Sequence, residues 1–268
     1  MTIRIGHSAD PDDAFMAWAL QSGAVDLRGL ELELVVSDIE TLNTWALEGR
    51  LEVTALSAGA YSQVADRYLL LPYGASFGEG YGPIVVAREE LSFDELRERE
   101  IVIPGRMTTA YLVLRLALGE DIRVRELPFD AVLDEVQSGR ADVGLVIHEG
   151  QLTYADAGLH KLLDLGAWWL EETGLPIPLG LVAARRDTER LADVVEVLRE
   201  AIHAGLEHRD DAMQYAVGFG RGIDVRTADE FVAMYVNELT QDMGERGRAA
   251  VTELLRRAGA PVKAEFAV

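Results

Sequence analysis

Residues 138–150 read SGRADVGLVIHEG, and this stretch decides the fold. Within it, residues 143–147 form a short apolar run with β-branched side chains, which is typical of a strand buried on both faces. His148 follows this run directly. Because open α/β sheets bind ligands at the carboxyl ends of their parallel strands, we predict that His148 lies at a ligand site.

The same order of elements occurs twice in the chain. Residues 41–57 (TLNTWALEGRLEVTALS) and 130–148 (DAVLDEVQSGRADVGLVIH) each predict an amphipathic helix, a Gly-Arg turn and an apolar strand. Upstream of them, residues 3–20 and 101–118 each predict a strand, a polar loop and an apolar helix. Two matched units in the same order predict two related α/β lobes whose strand-end loops face a shared cleft.

The predicted lobes are joined by two crossings without a low-complexity linker, which indicates a hinge. We assign residues 1–87 and 182–268 to lobe 1 and residues 88–181 to lobe 2. From residue 187 onward apolar residues recur at helical spacing, which predicts a helical C-terminal tail packed on lobe 1.

Local signals predict several helix starts. Ser37 with Glu40, and Thr227 with Glu230, have the spacing of capping boxes. Residues 61–68 are also expected to be helical.

Composition excludes several classes of protein. The chain has 268 residues, of which 49% are hydrophobic, so it can bury a substantial core. Without Cys there is no disulfide framework, thiolate nucleophile or Cys-based metal site. A net charge of −21 repels nucleic acid and anionic membranes. The first predicted strand begins at Ile3 and no apolar run approaches about 18 residues, so we expect no secretory signal, no membrane span and a cytoplasmic location.

Polar side chains near strand ends are candidates for chemistry. His148 could be a general base or acid, since imidazole titrates near neutral pH, or a core histidine bonded to backbone. Thr108 and Thr109 follow Arg106 at the start of an apolar helix, where N–H groups and hydroxyls can bind an anion; alternatively, one of them is only the N-cap. Ser57 could donate a hydrogen bond, but the sequence around it does not match the G-x-S-x-G motif of a serine nucleophile.

A cluster of acids follows the first strand. Asp10, Asp12 and Asp13 could be read as metal ligands, but acids beside Pro11 are also typical of a helix start, which is the interpretation we favour. His7 ends the same strand and is a weaker candidate for chemistry.

Several segments resemble a known family. The sequences DIETLNTWALEGRLEVTALS, IPGRMTTAYLVL, VGLVIHEG and DLGAWWLEETGLPIPLG resemble the menaquinone-biosynthesis family of the futalosine route, over nearly the whole chain. This resemblance implies a two-lobed, type II periplasmic-binding-protein-like α/β fold. Within the family, the motifs are more similar to the naphthoate-forming branch than to chorismate dehydratase.

The resemblance implies a lyase that converts cyclic dehypoxanthine futalosine, an aromatic carboxylate with a fused sugar remnant, to a dihydroxynaphthoate. His148 matches the family's proton-accepting histidine. A base that removes a proton from the sugar remnant would start C–C cleavage, and aromatisation would drive it without a metal or organic cofactor. The positions that match the family's substrate-binding residues are Ala55, Leu56, Ser57, Thr108 and Thr109.

The sequence departs from the family pattern in two places, a loop and a single residue. The first loop usually reads Ser-Pro-Cys-Pro-Asn-Asp, whereas residues 8–13 here read SADPDD, and Ala55 stands where lysine is typical. Arg106 could supply the positive charge that an anionic substrate needs, so we include it among the substrate-binding residues. The alternatives are a chorismate dehydratase and a non-catalytic protein that binds a small anion.

Overall fold

The structure is a computed structural model that describes residues 2–220, 222–260 and 262–267. Its contacts divide the chain into unit 1, Met1–Phe77 with Pro178–Val268, and unit 2, Gly78–Ile177. Both divisions fall earlier in the sequence than the crossings we predicted after residues 87 and 181. The first differs because residues 84–87 form a strand of the unit 2 sheet.

Strands and helices alternate along much of the chain. The strands are β1 (Thr2–Ser8), β2 (Glu31–Ser37), β3 (Val53–Ser57), β4 (Tyr68–Leu70), β5 (Ser76–Gly78), β6 (Ile84–Ala87), β7 (Glu100–Ile103), β8 (Arg123–Glu126), β9 (Val143–Val146), β10 (His160–Asp164) and β11 (Ile177–Arg185). The α-helices are α1 (Pro11–Ser22), α2 (Ile39–Glu48), α3 (Phe93–Glu98), α4 (Thr109–Leu118), α5 (Val132–Gln137), α6 (Gly150–Thr153), α7 (Leu165–Thr173), α8 (Leu191–Glu207), α9 (Arg209–Val217), α10 (Val225–Tyr235), α11 (Glu238–Gln241) and α12 (Gly244–Arg257). Short 3-10 helices cover Ala58–Gln63 and Phe129–Ala131.

Unit 1 is built on a mixed sheet with the strand order β2-β1-β3-β11-β4, and β5 pairs with β11. β1 runs parallel to β2 and to β3, whereas β11 runs antiparallel to β3 and β4. Because β1 and β3 are parallel neighbours, their carboxyl ends at Ser8 and Ser57 lie at the same edge of the sheet.

The main core of unit 1 joins the sheet to the C-terminal helices. Ile5 and Val53 from the sheet pack with Phe15 of α1, Leu198 of α8 and Val232 of α10. The helical C-terminal region that we predicted from apolar spacing is therefore confirmed, and its helices complete the hydrophobic core of unit 1.

Unit 2 is built on a second sheet, with the order β10-β6-β9-β7-β8. β7 runs parallel to β8 and β9, whereas β6 is antiparallel to β9 and β10. All of β9 is buried, as its apolar run predicts for a strand covered on both faces. Val102 and Val146 from this sheet pack with Val132 and Val136 of α5.

Two of the predicted helix starts are wrong. Asp38, not Ser37, caps α2, and its carboxylate accepts from the N–H of Thr41 at 2.9 Å because Ser37 still belongs to β2. Asp224 caps α10 by accepting from the N–H of Thr227 at 2.7 Å. In both places an aspartate acts as the cap instead of the hydroxyl residue that the spacing indicated.

The helix predicted over residues 61–68 is present only at the start of that range. A 3-10 helix ends at Gln63, and Tyr68 already begins β4. Tyr61 and Tyr68 are fully buried, and the hydroxyl of Tyr68 donates to the carbonyl of Leu51 at 2.7 Å. Burial of these two rings in the tertiary structure accounts for the departure from the local helical pattern.

The outer side of β4 is paired with the C-terminal segment. The N–H of Leu70 donates to the carbonyl of Glu265, and the N–H of Ala267 donates to the carbonyl of Leu70, each at 2.8 Å. Between them, Phe266 forms a bridge with Leu70, and its ring lies under the Arg248 guanidinium at 4.1 Å. This segment therefore extends the unit 1 sheet beyond β4.

Glu52, just before β3, is a buried charge held by two arginines. It is 2% exposed, accepts from the N–H and Nε of Arg4 at 3.0 and 3.1 Å, and lies 3.3 Å from the Arg185 guanidinium. Burial alone would raise the pKa of the Glu52 carboxyl, but the hydrogen bonds and charge of Arg4 outweigh burial and lower that pKa.

We predict that Glu52→Gln lowers the free energy of unfolding at pH 7 by about 1–3 kcal/mol, because two arginines lose a charged acceptor. The folded-state pKa lies below the unfolded value of about 4.3, so this stabilisation is present above that pH and is lost as the pH falls through the folded-state pKa. Urea denaturation at pH 7 and at about pH 3 measures the difference.

The control for this variant is Asp193→Asn, which removes an exposed ion pair with Arg190. It should change the free energy of unfolding by less than about 0.5 kcal/mol. Equal effects of the two variants at pH 7 would contradict a special contribution from the buried Glu52 carboxylate.

Candidate functional site

The candidate site residues of unit 2 follow two adjacent parallel strands. β7 and β9 pair in register, with Ile101 opposite Val143. Thr108 lies in the loop after β7, and His148 lies in the turn after β9. Because parallel neighbours end at the same edge of a sheet, the structure brings the start of α4 and His148 to one edge of unit 2.

His148 has an uncommon backbone conformation. Its φ is 56°, in the left-handed region that residues other than glycine rarely adopt. The half-buried ring packs edge-on against Phe129, with centroids 4.8 Å apart and planes at 77°, and the next residue, Glu149, is buried. A residue held in a sparsely populated conformation by its packing is typical of a functional position.

Thr108 is the N-cap of α4. Its hydroxyl accepts from the N–H of Tyr111 at 3.1 Å and donates to the carbonyl of Gly105 at 2.8 Å. Thr109 is buried and is the first residue of the helix. The Thr108 hydroxyl is therefore engaged both as a donor, to Gly105, and as the cap of the helix.

Arg106 lies in the same loop as Thr108. Its Nε donates to Glu126 at 2.6 Å, its guanidinium lies 5.8 Å from the centre of the Tyr111 ring, and 52% of the side chain is exposed. The charge of Arg106 is therefore partly balanced by a carboxylate, but its side chain remains accessible to an anionic ligand.

The candidate residues of unit 1 form the end of β3. Ala55, Leu56 and Ser57 are all buried, and Leu56 lies opposite Leu181 of β11. Asn43 of α2 holds Ser57 through two hydrogen bonds. Its side-chain N–H donates to the Ser57 hydroxyl at 3.0 Å, and its carbonyl oxygen accepts from the Ser57 N–H at 2.8 Å.

The sequence analysis missed two residues of these sites, Asn43 and Phe129. Asn43 is buried, as are Leu42 and Ala46 of the same helix. A polar residue on the apolar face of a predicted helix is the signal that could have identified it, because buried amides need hydrogen-bond partners. The packing of Phe129 on His148 had no signal in the sequence.

The acidic residues after β1 form the start of α1, which is the interpretation that we preferred to a metal site. They are packed inside unit 1. Asp12 accepts from the Ser76 hydroxyl at 3.0 Å, Asp13 accepts from the Ser8 N–H at 2.8 Å, and the Ser8 hydroxyl donates to Asp10. Burial, followed by repulsion between neighbouring carboxyls, raises the pKa of Asp12 well above its usual range, and burial also raises the pKa of Asp13.

Across the described ranges, no group of three or more His, Cys, Asp or Glu side chains is arranged to hold a metal ion. In the same ranges, every helix is too short or too polar to cross a lipid bilayer.

Solved structures share this fold. Protein AF1704 from Archaeoglobus fulgidus is 47% identical, with 97% of each chain covered and a TM-score of 0.91. A Candida albicans protein with the generic periplasmic binding protein fold matches at 14% identity and a TM-score of 0.66, over 99% of this chain and 92% of that chain. At that identity the likeness concerns the fold alone, and it confirms the predicted periplasmic-binding-protein-like α/β class.

Two named relatives match nearly the whole chain. A 1,4-dihydroxy-6-naphthoate synthase from Thermus thermophilus is 42% identical over 260 residues, which is 96% of this chain and 94% of the relative. The protein of the same name from Streptomyces coelicolor is 38% identical over 269 residues, with 97% and 93% covered. The family model described as menaquinone biosynthesis matches residues 3–260. The chain therefore belongs to the menaquinone biosynthesis family and is an enzyme of that pathway.

Proposed function

We propose that this enzyme is a carbon–carbon lyase of the futalosine route, which converts cyclic dehypoxanthine futalosine to 1,4-dihydroxy-6-naphthoate. The names of the relatives support the product. The observation that carries the proposed chemistry is the position of His148, in a left-handed turn at the carboxyl end of β9 and at the same edge of the unit 2 sheet as the start of α4.

In this proposal His148 is the general base. A neutral imidazole accepts a proton at near-neutral pH, so it can remove a proton from the sugar-derived part of the substrate. Cleavage of the C–C bond then releases the sugar carbons, and aromatisation of the new ring drives the reaction forward. The contact with Phe129 restricts the orientation of the imidazole, which favours proton transfer in one direction.

We assign substrate binding to two segments. After β7, Arg106 and the N–H groups around Thr108 and Thr109 suit the substrate carboxylate, because a cation and a helix N-terminus both favour an anion. At the end of β3 we assign Ala55, Leu56 and Ser57. Leu56 is fully buried, so it would act through its backbone, whereas the Ser57 hydroxyl is oriented by Asn43.

We predict that the purified protein turns over cyclic dehypoxanthine futalosine, with the product followed by its naphthoate absorbance. Under the same conditions, chorismate should not lose water. Dehydration of chorismate without conversion of the futalosine derivative would replace the proposed reaction with that of a chorismate dehydratase. Binding of either compound without turnover would contradict the proposed reaction.

We predict that His148→Asn lowers kcat by at least about 100-fold while substrate binding is retained, because the base is lost. Asparagine is preferred to alanine here since it tolerates positive φ and leaves the turn unstrained. The control is His160→Gln, which changes an exposed histidine of β10 and should leave kcat unchanged. A kcat for His148→Asn near that of the wild type would remove His148 from the mechanism.

We predict that Asn43→Ala raises KM about 10-fold, because the Ser57 hydroxyl loses the group that orients it. Ser57→Ala should raise KM by a similar factor, and the double variant should be little worse than either single variant. The kinetics of the three variants and the wild type form the test. Fully additive effects on KM would show that Asn43 does not act through Ser57.

A further inference from the structure

Arg106, in the loop after β7, is paired with an acidic side chain of the neighbouring strand. Glu126 is the last residue of β8 and pairs with Ile103, the last residue of β7, so it lies at the same edge of the unit 2 sheet. The Glu126 carboxylate accepts from Nε of Arg106 at 2.6 Å. The side chains of Arg106 and Glu126 are 52% and 46% exposed, so a ligand can reach this ion pair.

Tyr111 of α4 is the second contact of Arg106. Nη1 of Arg106 lies 3.5 Å from the Tyr111 hydroxyl, and the guanidinium carbon lies 5.8 Å from the centre of the ring. Tyr111 is itself buried, and the Arg115 guanidinium lies 5.6 Å from the centre of the same ring. Because a buried ring has little freedom and its face attracts cations, Tyr111 limits the orientations that Arg106 can adopt.

These contacts leave one edge of the Arg106 guanidinium for a ligand. A guanidinium has five N–H groups, one on Nε and two on each terminal nitrogen. Glu126 engages Nε, and Tyr111 takes at most one of the two N–H groups on Nη1. The outer N–H groups of Nη1 and Nη2 remain, and their spacing matches the two oxygens of one carboxylate. The arrangement therefore favours a carboxylate that approaches Arg106 end-on.

The charge of Glu126 limits how much negative charge a ligand can carry. Among the residues that the structure describes, Arg106 is the one cation within 4 Å of the Glu126 carboxylate. A ligand with one carboxylate gains the contact with Arg106. A second, adjacent carboxylate on the ligand would lie close to Glu126 without a cation of its own, and like charges at short range repel.

We propose that Glu126 is a positioning residue for Arg106 and makes the site selective for a ligand with a single carboxylate. This assignment rests on the proposed function, in which Arg106 binds the carboxylate of the substrate. Glu126 orients the guanidinium through Nε, and its charge disfavours a ligand with two adjacent carboxylates. The site then takes an aromatic monocarboxylate and rejects the corresponding dicarboxylate.

The first test measures binding without turnover, by isothermal titration calorimetry. The probes are 2-naphthoate and naphthalene-2,3-dicarboxylate, and the wild type should bind the monocarboxylate at least about 10-fold more tightly. Glu126→Gln keeps an acceptor for Nε but removes the charge, so this preference should fall at least about fivefold. The proposal is overturned if the wild type binds neither acid, or if the preference is the same in both proteins.

The positioning role is tested by Glu126→Ala. Both variants remove the charge, but only glutamine retains a side-chain oxygen that can accept from Nε. The alanine variant should therefore bind 2-naphthoate about fivefold more weakly than the glutamine variant, because the guanidinium is less ordered. Adding Arg106→Gln to each variant should abolish that difference, since Glu126 acts through Arg106. Equal binding by the two single variants would overturn the positioning role.

The control is Glu120→Gln, which changes the net charge by the same amount beyond the other end of α4. Glu120 pairs with Arg115, and its side chain is 65% exposed. The ten residues of α4 place it about 15 Å or more from the start of the helix. This variant should bind both acids as the wild type does. A loss of the preference here would show a general effect of net charge and would overturn the local role of Glu126.

Turnover separates this proposal from the proposed function. With cyclic dehypoxanthine futalosine, KM should be about fivefold higher for Glu126→Ala than for Glu126→Gln, at an unchanged kcat. If the enzyme turns over this substrate but the two variants have the same KM, the proposed function stands and the role of Glu126 is wrong. If the naphthalene acids bind as predicted but no turnover occurs, the proposed function is wrong and the selectivity for a single carboxylate stands.

Discussion

The parallel pairing of neighbouring strands, β1 with β3 and β7 with β9, is the constraint on which the rest of this structure depends. Parallel strands cannot be joined by a tight turn, so the chain must return through a crossover, and each crossover begins at the same edge of the sheet. In unit 2 this requirement places His148 at the same edge as the start of α4. In unit 1 it places Ser57 at the same edge as His7. The positions of the candidate groups within each unit therefore follow from the hydrogen bonding of the backbone.

Some strand positions were predictable because a buried strand can carry an apolar signal along its whole length. β6 and β9 are continuous apolar runs, and a strand covered on both faces requires such a run. Helix starts were less predictable because several neighbouring polar residues can satisfy the same N–H groups. At α2 the cap is Asp38, one residue later than the hydroxyl residue that the spacing favoured.

Only part of the candidate site was predictable from the sequence. His148 and Thr108 were identified because each closely follows an apolar strand in the sequence. The pairing of Asn43 with Ser57 depends on how α2 packs against β3. Contacts of this kind involve single polar residues without periodicity, so no pattern in one sequence reveals them. The uncommon φ of His148 is a further feature that the sequence conceals, since histidine does not mark a left-handed position as glycine does.

The pairing of residues 265–267 with β4 has a practical consequence for handling the protein. An uncovered outer strand presents unpaired N–H and C=O groups that the strands of other molecules can extend. The backbone of the short C-terminal segment pairs with the outer edge of β4, and the Arg248–Phe266 contact helps to hold the segment there. Truncation of the chain before Glu265 would expose the edge of β4 to pairing with strands of other molecules. Aggregation would then compete with correct folding.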